Sequence, residues 1–217
     1  MRPLHRNQLV WLSEGAWQRV RARAWDAQAQ SILAHWHTQK LPLVVCRQRV
    51  PDSPDSISLG LPAPLQWERR KLALEVLDAD IEQVGHFPLL TPALLGSAHV
   101  AELQDFLSQL LELHGTARVY GSYGWQQLTG LPCVRDVSDL DLIVEVPDLD
   151  IAGQAVWLLR GLRTSCRADG ELQFPDGSAV AWREYAQLIG GKVERVLVKS
   201  RAGVQLSCME SLQAMPC

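Results

Sequence analysis

Two aspartates stand at alternate positions near the start of an apolar run, VSDLDLIVEV, at residues 137–146. The run ends at Pro147 and predicts a strand, in which residues two apart point to the same side. Asp139 and Asp141 therefore project together, with their Cα atoms about 6 to 7 Å apart. Aspartate is depleted in strands, and two carboxylates held this close repel each other unless a cation lies between them. The pair predicts a cation site on one face of a sheet.

A glycine–serine pair precedes these acids. The sequence GSYGW at 121–125 follows TARVY, for which the pattern predicts a short strand. A flexible turn at Gly121 and Ser122 would bring backbone N–H groups and a hydroxyl close to a phosphate. Mg²⁺ is typically held by one or two carboxylates together with phosphate oxygens. We therefore interpret the two motifs as one site for a magnesium-bound polyphosphate, with Asp139 and Asp141 as metal ligands.

Arg135 lies in the loop just before the acids, where a guanidinium is a candidate for a bidentate contact with a phosphate. Taken alone, a single arginine is more often a surface charge, and a glycine–serine pair is more often an ordinary turn. The acids themselves would also suit a solvated edge strand. The occurrence of all three features within one short segment favours the phosphate site.

The first 90 residues predict a small α+β unit. Ser13 is placed to cap a short helix, and a second helix is expected from Asp26 to Gln39. Strand candidates are LPLVVCRQ at 41–48, SISLGLP at 56–62 and RRKLALEV at 69–76. The proline-broken segment FPLLTPALLGSA predicts a connection. We therefore place a boundary near residue 90, which gives domains at 1–90 and 91–217.

The second half mixes helices and strands. HVAELQDFLSQLLELHG at 99–115 and DIAGQAVWLLRGL at 150–162 predict helices. GELQFPDGSAVAW is typical of a hairpin that turns at Pro175-Asp176-Gly177, and late strands are expected in 192–200 and 203–209. This order predicts an α+β sandwich with helices on one face. The positions expected to be buried in the first of these helices are Leu103, Phe106, Leu107, Leu110 and Leu111.

The Gly121-Ser122 pair followed by Asp139-Leu140-Asp141 resembles the signature of the nucleotidyltransferase superfamily that includes polymerase beta. The resemblance implies a polymerase-beta-like catalytic domain beside the smaller N-terminal unit. It also implies a third carboxylate from a later strand, for which Glu171, Asp176 and Glu184 are candidates. We favour Glu171 because it opens a predicted strand, whereas Asp176 lies at a hairpin turn and Glu184 begins the next helix.

A closer resemblance extends over nearly the whole chain. HRNQLVWLSEGAW, LPLVVCRQ, GSYGWQQLTGLP, SDLDLIVEV and GELQFPDGSAVAWREYA look like the malonate decarboxylase holo-acyl-carrier-protein synthases, which are phosphoribosyl-dephospho-CoA transferases. The resemblance implies a triphosphoribosyl-dephospho-CoA donor and, as acceptor, a serine of the acyl-carrier subunit of malonate decarboxylase. It further implies that Mg²⁺ is the cofactor and that pyrophosphate is released.

Charge and cysteine content restrict the other functional classes. A net charge of −3 and a pI near 6.1 supply no global basic field, so we expect no nucleic-acid partner. No stretch reaches the roughly 18 apolar residues of a membrane span, and five scattered cysteines suggest a reduced, cytoplasmic protein. Two alternatives remain: a nucleotidyltransferase with another acceptor (a small molecule, RNA or protein), and a non-catalytic binder of a carrier subunit. The Asp-x-Asp pair favours catalysis.

Overall fold

The computed structural model describes residues 4–48, 55–95 and 99–213, and within them the chain forms two compact units. The first unit contains the described residues up to Phe87 together with Trp125–Cys133 and Arg201–Gly203. The second contains Pro88–Gly124, Val134–Ser200 and the described residues from Val204 onward. The chain first passes from one unit to the other between Phe87 and Pro88. The domain limits 1–90 and 91–217 stay a prediction.

In the described part of the first unit, an antiparallel sheet is accompanied by two helices. The strands are β1 (Leu9–Leu12), β2 (Leu43–Val45), β3 (Ser56–Pro62), β4 (Lys71–Leu77) and β5 (Ile81–Gly85), and the helices are α1 (Glu14–Arg21) and α2 (Ala27–Thr38). The strand order is β4-β3-β2-β1-β5. Alternate residues of β3 are buried, as expected for a strand with one face toward the core.

Capping sets the beginnings of both helices. The Ser13 hydroxyl accepts a hydrogen bond from the Ala16 N–H at 3.2 Å, and the Asp26 carboxylate accepts one from the Ala29 N–H at 2.9 Å. The predictions for α1, α2 and β3 are confirmed, whereas β1 and β5 were not predicted.

A mixed sheet forms the centre of the second unit. Its strands are β6 (Thr116–Val119), β7 (Leu140–Glu145), β8 (Ala168–Gln173), β9 (Ala179–Ala181), β10 (Val196–Lys199) and β11 (Val204–Ser207). The helices are α3 (Val100–Glu112), α5 (Leu149–Gly161), α6 (Trp182–Ile189) and α7 (Met209–Gln213). Helix α4 (Gly121–Thr129) begins in this unit, and its residues from Trp125 onward belong to the first unit. The strand order is β11-β10-β9-β8-β7-β6, and β7 and β8 are parallel. The predicted α+β class is confirmed.

Helix α5 connects β7 to β8, because two parallel strands need a long crossover between them. Leu140, Leu142 and Val144 of β7 are buried in one core with apolar residues of α3, α5 and α6. Since side chains alternate along a strand, Asp141 projects from the opposite face of the sheet. Helices α3, α5 and α6 therefore cover one face, and the acids lie on the other.

Two predictions about this unit are wrong. Leu111 is 71% exposed, because Leu103, Phe106 and Leu110 already form the buried stripe of α3, and the next residue turns about 100° away from it. Gly121 and Ser122 do not form a turn after a strand: β6 ends at Val119, and Gly121 begins α4.

No helix in residues 4–48, 55–95 and 99–213 is long and apolar enough to cross a bilayer.

Candidate active site

Four carboxylates lie on the face of the second unit's sheet that is opposite α3, α5 and α6. Asp141 of β7 and Asp169 of β8 are direct Cα partners in the parallel register. Asp139 precedes β7 by one residue, two positions before Asp141, and Glu171 follows Asp169 by two positions in β8. The alternation of side chains along each strand places all four on the same face. Asp169 was not predicted as a site residue.

Glu171 has a different environment from the aspartates. It lies in the middle of β8, not at its start, and is 5% exposed. Its Oε1 is 2.8 Å from Lys199 Nζ of β10. Its partner across the register is Ile143, so no aspartate of β7 lies directly opposite it. Glu171 is therefore a buried acid with an internal cationic partner.

The other two candidates for the third carboxylate bind backbone groups. Asp176 accepts a hydrogen bond from the Ser178 N–H at 2.8 Å in the β8–β9 hairpin. It comes after the last residue of β8, whereas Asp169 lies near the first. Glu184 accepts one from the Leu197 N–H at 3.0 Å and lies in the first turn of α6. These contacts give both residues a structural function.

Two arginines lie beside the aspartates, and neither was predicted. Arg167, the residue before β8, donates two hydrogen bonds to Asp139, from Nε to Oδ1 at 3.1 Å and from Nη2 to Oδ2 at 2.5 Å. The same Nη2 is 3.1 Å from Asp169 Oδ2. Arg183 Nε is 3.8 Å from Asp169 Oδ1, and its Nη2 donates to the Ala168 carbonyl at 2.7 Å.

The aspartates differ in their electrostatic environments. Hydrogen bonding to Arg167 lowers the pKa of Asp139. Burial, followed by the negative charges of Asp139 and Asp169, raises the pKa of Asp141 to about 6. Asp141 is therefore the carboxylate whose charge is least compensated, and a cation on this face would favour its ionised form.

Gly121 lies against the Asp141 side chain. Its φ is +58°, a left-handed conformation that glycine adopts readily, and a Cβ at this position would lie 2.0 Å from Asp141 Oδ2. The neighbouring Tyr120 N–H donates to the Asp141 carbonyl at 2.9 Å. The close approach predicted for Gly121 is thus made to a carboxylate, and the N-terminus of α4 begins at that carboxylate. Ser122 is the second residue of α4.

Position 170 also requires glycine, which was not predicted from the sequence. It lies opposite Leu142 in the register, with φ +133°. A Cβ there would lie 1.9 Å from the Leu142 carbonyl oxygen. Glycine therefore lets β7 and β8 pair between the flanking acids. The alternation of acids in Asp169-Gly170-Glu171, the same signal as in Asp139-Leu140-Asp141, would have identified Asp169.

Arg135 lies in a tight turn just before Asp139. Its N–H donates to Ser138 Oγ at 3.0 Å, and the Ser138 N–H donates to the Arg135 carbonyl at 2.9 Å. The residue is exposed. Its contact with a phosphate stays a prediction.

The carboxylates of this face are the residues available to bind the predicted Mg²⁺. No group of three or more His, Cys, Asp or Glu side chains that could hold a metal ion is present among residues 4–48, 55–95 and 99–213. Asp139 and Asp169 contact Arg167, and Asp141 has a raised pKa. Hard carboxylate oxygens and negative charge in need of compensation are the donor chemistry that suits Mg²⁺.

Two domains of one protein family together match most of the chain. Residues 5–87 match the N-terminal domain of phosphoribosyl-dephospho-CoA transferase MdcG, and residues 90–210 match its C-terminal domain. This chain belongs to the phosphoribosyl-dephospho-CoA transferase family.

Curated relatives carry the same name. The chain is 39% identical to the phosphoribosyl-dephospho-CoA transferase of Xanthomonas euvesicatoria pv. vesicatoria over 207 residues, which cover 93% of this chain and 92% of the relative. It is 37% identical to that of Xanthomonas axonopodis pv. citri, with the same coverage. It is 34% identical to that of Bradyrhizobium diazoefficiens over 208 residues, 92% of each chain. No solved structure matches this chain, so the polymerase-beta-like fold stays a prediction.

Proposed function

We propose that this chain transfers a phosphoribosyl-dephospho-CoA group from a triphosphoribosyl-dephospho-CoA donor to a serine of the acyl-carrier subunit of malonate decarboxylase. The serine oxygen forms a bond to the phosphorus attached to the ribose. The bond from that phosphorus to the terminal pyrophosphate breaks, and the serine proton is lost. The products are a phosphodiester on the carrier and free pyrophosphate.

The observation that carries this proposal is the register pair of Asp141 and Asp169 beside Gly121. The pair places two carboxylates on one face of the sheet, and one of them, Asp141, lies directly at the start of α4. Helix N-termini bind phosphates through their free N–H groups and their dipole. A site with carboxylates and a helix N-terminus together suits a polyphosphate with its counter-ion, and the relatives' name supports the donor group.

Asp139, Asp141 and Asp169 would hold Mg²⁺, with Asp169 replacing Glu171 as our choice for the third carboxylate. Glu171 has Lys199 as its partner, whereas Asp169 is opposite Asp141. Bound Mg²⁺ would neutralise the developing charge on the phosphate oxygens. The N–H groups of Gly121 and Ser122 would bind the donor phosphates, and Arg135 would bind them from the preceding turn.

Pyrophosphate release and the mass of the carrier subunit test this proposal together. Wild-type protein with Mg²⁺ and donor should increase the mass of the carrier by one phosphoribosyl-dephospho-CoA group and release one pyrophosphate. Asp169→Asn should abolish both signals. Asp176→Asn removes a charge from the β8–β9 hairpin, outside the site, and should leave the rate within about twofold, since substitutions away from a site have small effects.

The outcomes separate the candidate functions. If the protein does not modify the carrier but releases pyrophosphate when a nucleotide and another acceptor are supplied, a general nucleotidyltransferase is favoured. Carrier binding without any release would favour a non-catalytic binder. Full activity of Asp169→Asn would contradict the choice of the third carboxylate.

A further inference from the structure

Arg167 occupies the space between two of the carboxylates assigned to the metal. Its guanidinium contacts both oxygens of Asp139 and, through the same Nη2, Oδ2 of Asp169. A fork-shaped cation that bridges two carboxylates satisfies the oxygens that a metal ion would use. Asp139 therefore has a lowered pKa, while the more buried Asp141 keeps a raised one.

The geometry points to Arg167 as an internal cation that holds Asp139 and Asp169 before catalysis, gives them up when a divalent cation binds, and then binds the donor's phosphates. This inference rests on the proposed function, because it assigns a role to a residue at the same site. It makes Arg167 a positioning residue in the metal-free protein and a phosphate ligand in the loaded one.

The surroundings of Arg167 permit this movement. Its side chain is 60% exposed, so the guanidinium can leave the carboxylates for solvent or ligand without opening the core. Its backbone is fixed: the Arg167 carbonyl accepts a hydrogen bond from the Leu140 N–H at 2.9 Å. A movement of the side chain alone therefore keeps β7 and β8 in register.

Arg183 provides a contrast at the same site. Its guanidinium donates to the Ala168 carbonyl and lies over the Trp182 ring, 4.2 Å from the ring centroid. Its contact with Asp169 is longer, at 3.8 Å, and Asp139 is not its partner in any ion pair of the described residues. Arg183 is anchored by groups that a metal does not compete for, whereas the described partners of Arg167 are the carboxylates themselves.

Competition of this kind weakens apparent metal affinity. A protein whose binding-competent state is only partly populated binds its ligand more weakly in proportion to that population. Removal of Arg167 should therefore strengthen metal binding. Because an exposed charge pair contributes little free energy, the gain should be about 3- to 10-fold. The same removal should weaken donor binding, since a bidentate phosphate ligand is lost.

The experiment is a titration of the protein with Mn²⁺, followed by electron paramagnetic resonance, for the wild type and three variants. Arg167→Ala and Arg167→Gln should bind Mn²⁺ about 3- to 10-fold more tightly than the wild type, while their KM for the donor rises. Arg183→Ala removes the same charge next to the same acids, so it should increase Mn²⁺ affinity by less. Two variants at position 167, each checked for folding by circular dichroism, prevent a single misfolded protein from deciding the result.

A second readout is thermal. Without metal, Arg167→Ala should melt below the wild type because three carboxylates lose a counter-charge. Saturating Mn²⁺ should raise its melting temperature more than that of the wild type, since tighter binding to the folded state stabilises it further.

The outcomes distinguish this inference from the proposed function. If wild-type protein binds Mn²⁺ and Arg167→Ala binds it equally or more weakly, the role of Arg167 is overturned and the metal site remains. An equal gain in Arg183→Ala and Arg167→Ala also overturns the role, because general charge removal would then explain both. If neither the wild type nor any variant binds Mn²⁺, the metal site itself fails and this inference fails with it.

Discussion

Strand β8 carries two acids, two residues apart, in different electrostatic environments. Glu171 is buried and has Lys199 as a counter-charge within the fold. Asp169 has the exposed Arg167 as its counter-charge. It lies across from Asp141, whose pKa is raised to about 6 by burial and by neighbouring carboxylates. Buried or crowded carboxylates are costly unless they are paired. The comparison separates Glu171, which has a counter-charge inside the fold, from a group of aspartates in which the charge of Asp141 is left uncompensated.

The largest effect is expected where the uncompensated group is removed. Asp141→Asn should reduce transfer at least about a hundredfold, because metal charge stabilisation is worth several kcal/mol. The same variant should be as stable as the metal-free wild type or more stable, because a repelled carboxylate is lost. Rates of pyrophosphate release and urea denaturation in EDTA measure the two quantities. A variant that loses activity because it is unfolded would contradict the assignment.

The neutralised acid should respond in the opposite way. Lys199→Met leaves Glu171 buried without this partner and should destabilise the protein by about 2–3 kcal/mol, below the full cost of breaking a buried pair because Lys199 is partly exposed. Adding Glu171→Gln should recover much of this loss. Urea denaturation of both variants measures the change in the free energy of unfolding. If Lys199→Met keeps wild-type stability, the ion pair is not structural, and Glu171 becomes a candidate ligand again.

The pH dependence of stability sharpens the contrast. The folded-state pKa of Asp141 lies above its unfolded value, so between about pH 4 and 6 the folded state binds more protons than the unfolded state. Stability of the metal-free protein should therefore rise by ~1 kcal/mol from this group as the pH falls from 7 to 5. Asp139, whose pKa is lowered, loses its contribution only at lower pH. The difference between wild type and Asp141→Asn isolates the effect, and a difference that is constant with pH would contradict it.

The smallest effect is expected at the beginning of α4. Ser122→Ala removes one hydroxyl and keeps the backbone N–H, so donor binding should weaken about 2- to 10-fold, the value of one hydrogen bond. Calorimetric titration with the donor measures it. Gly121→Val should be far worse, since a side chain there collides with Asp141 Oδ2. Similar donor affinities for the two variants would argue against phosphate binding at this helix.

Local patterns predicted the elements well, and the site in part. The helix from Asp26, the strand Ser56–Pro62 and the pair Asp139 and Asp141 follow from capping, alternation and spacing, which involve neighbours in the chain. Alternation of acids also marks Asp169 locally, but its place opposite Asp141 and the contacts of Arg167 depend on the register between β7 and β8, which are joined through α5. Register between strands distant in sequence is set by packing and topology rather than by local pattern.

The division of α4 has a consequence for fragments of this protein. Trp125, in the part of α4 that belongs to the first unit, lies 6.4 Å from Trp36 and 5.5 Å from Phe87 between ring centroids. The Pro132 carbonyl accepts a hydrogen bond from the Leu65 N–H at 3.0 Å. A fragment that ends at residue 90 lacks both contacts, so the surface of Trp36 that packs against Trp125 becomes exposed to solvent. Residues 125–133 contribute to the core of this fragment, and a peptide with their sequence, added separately, should therefore increase its solubility.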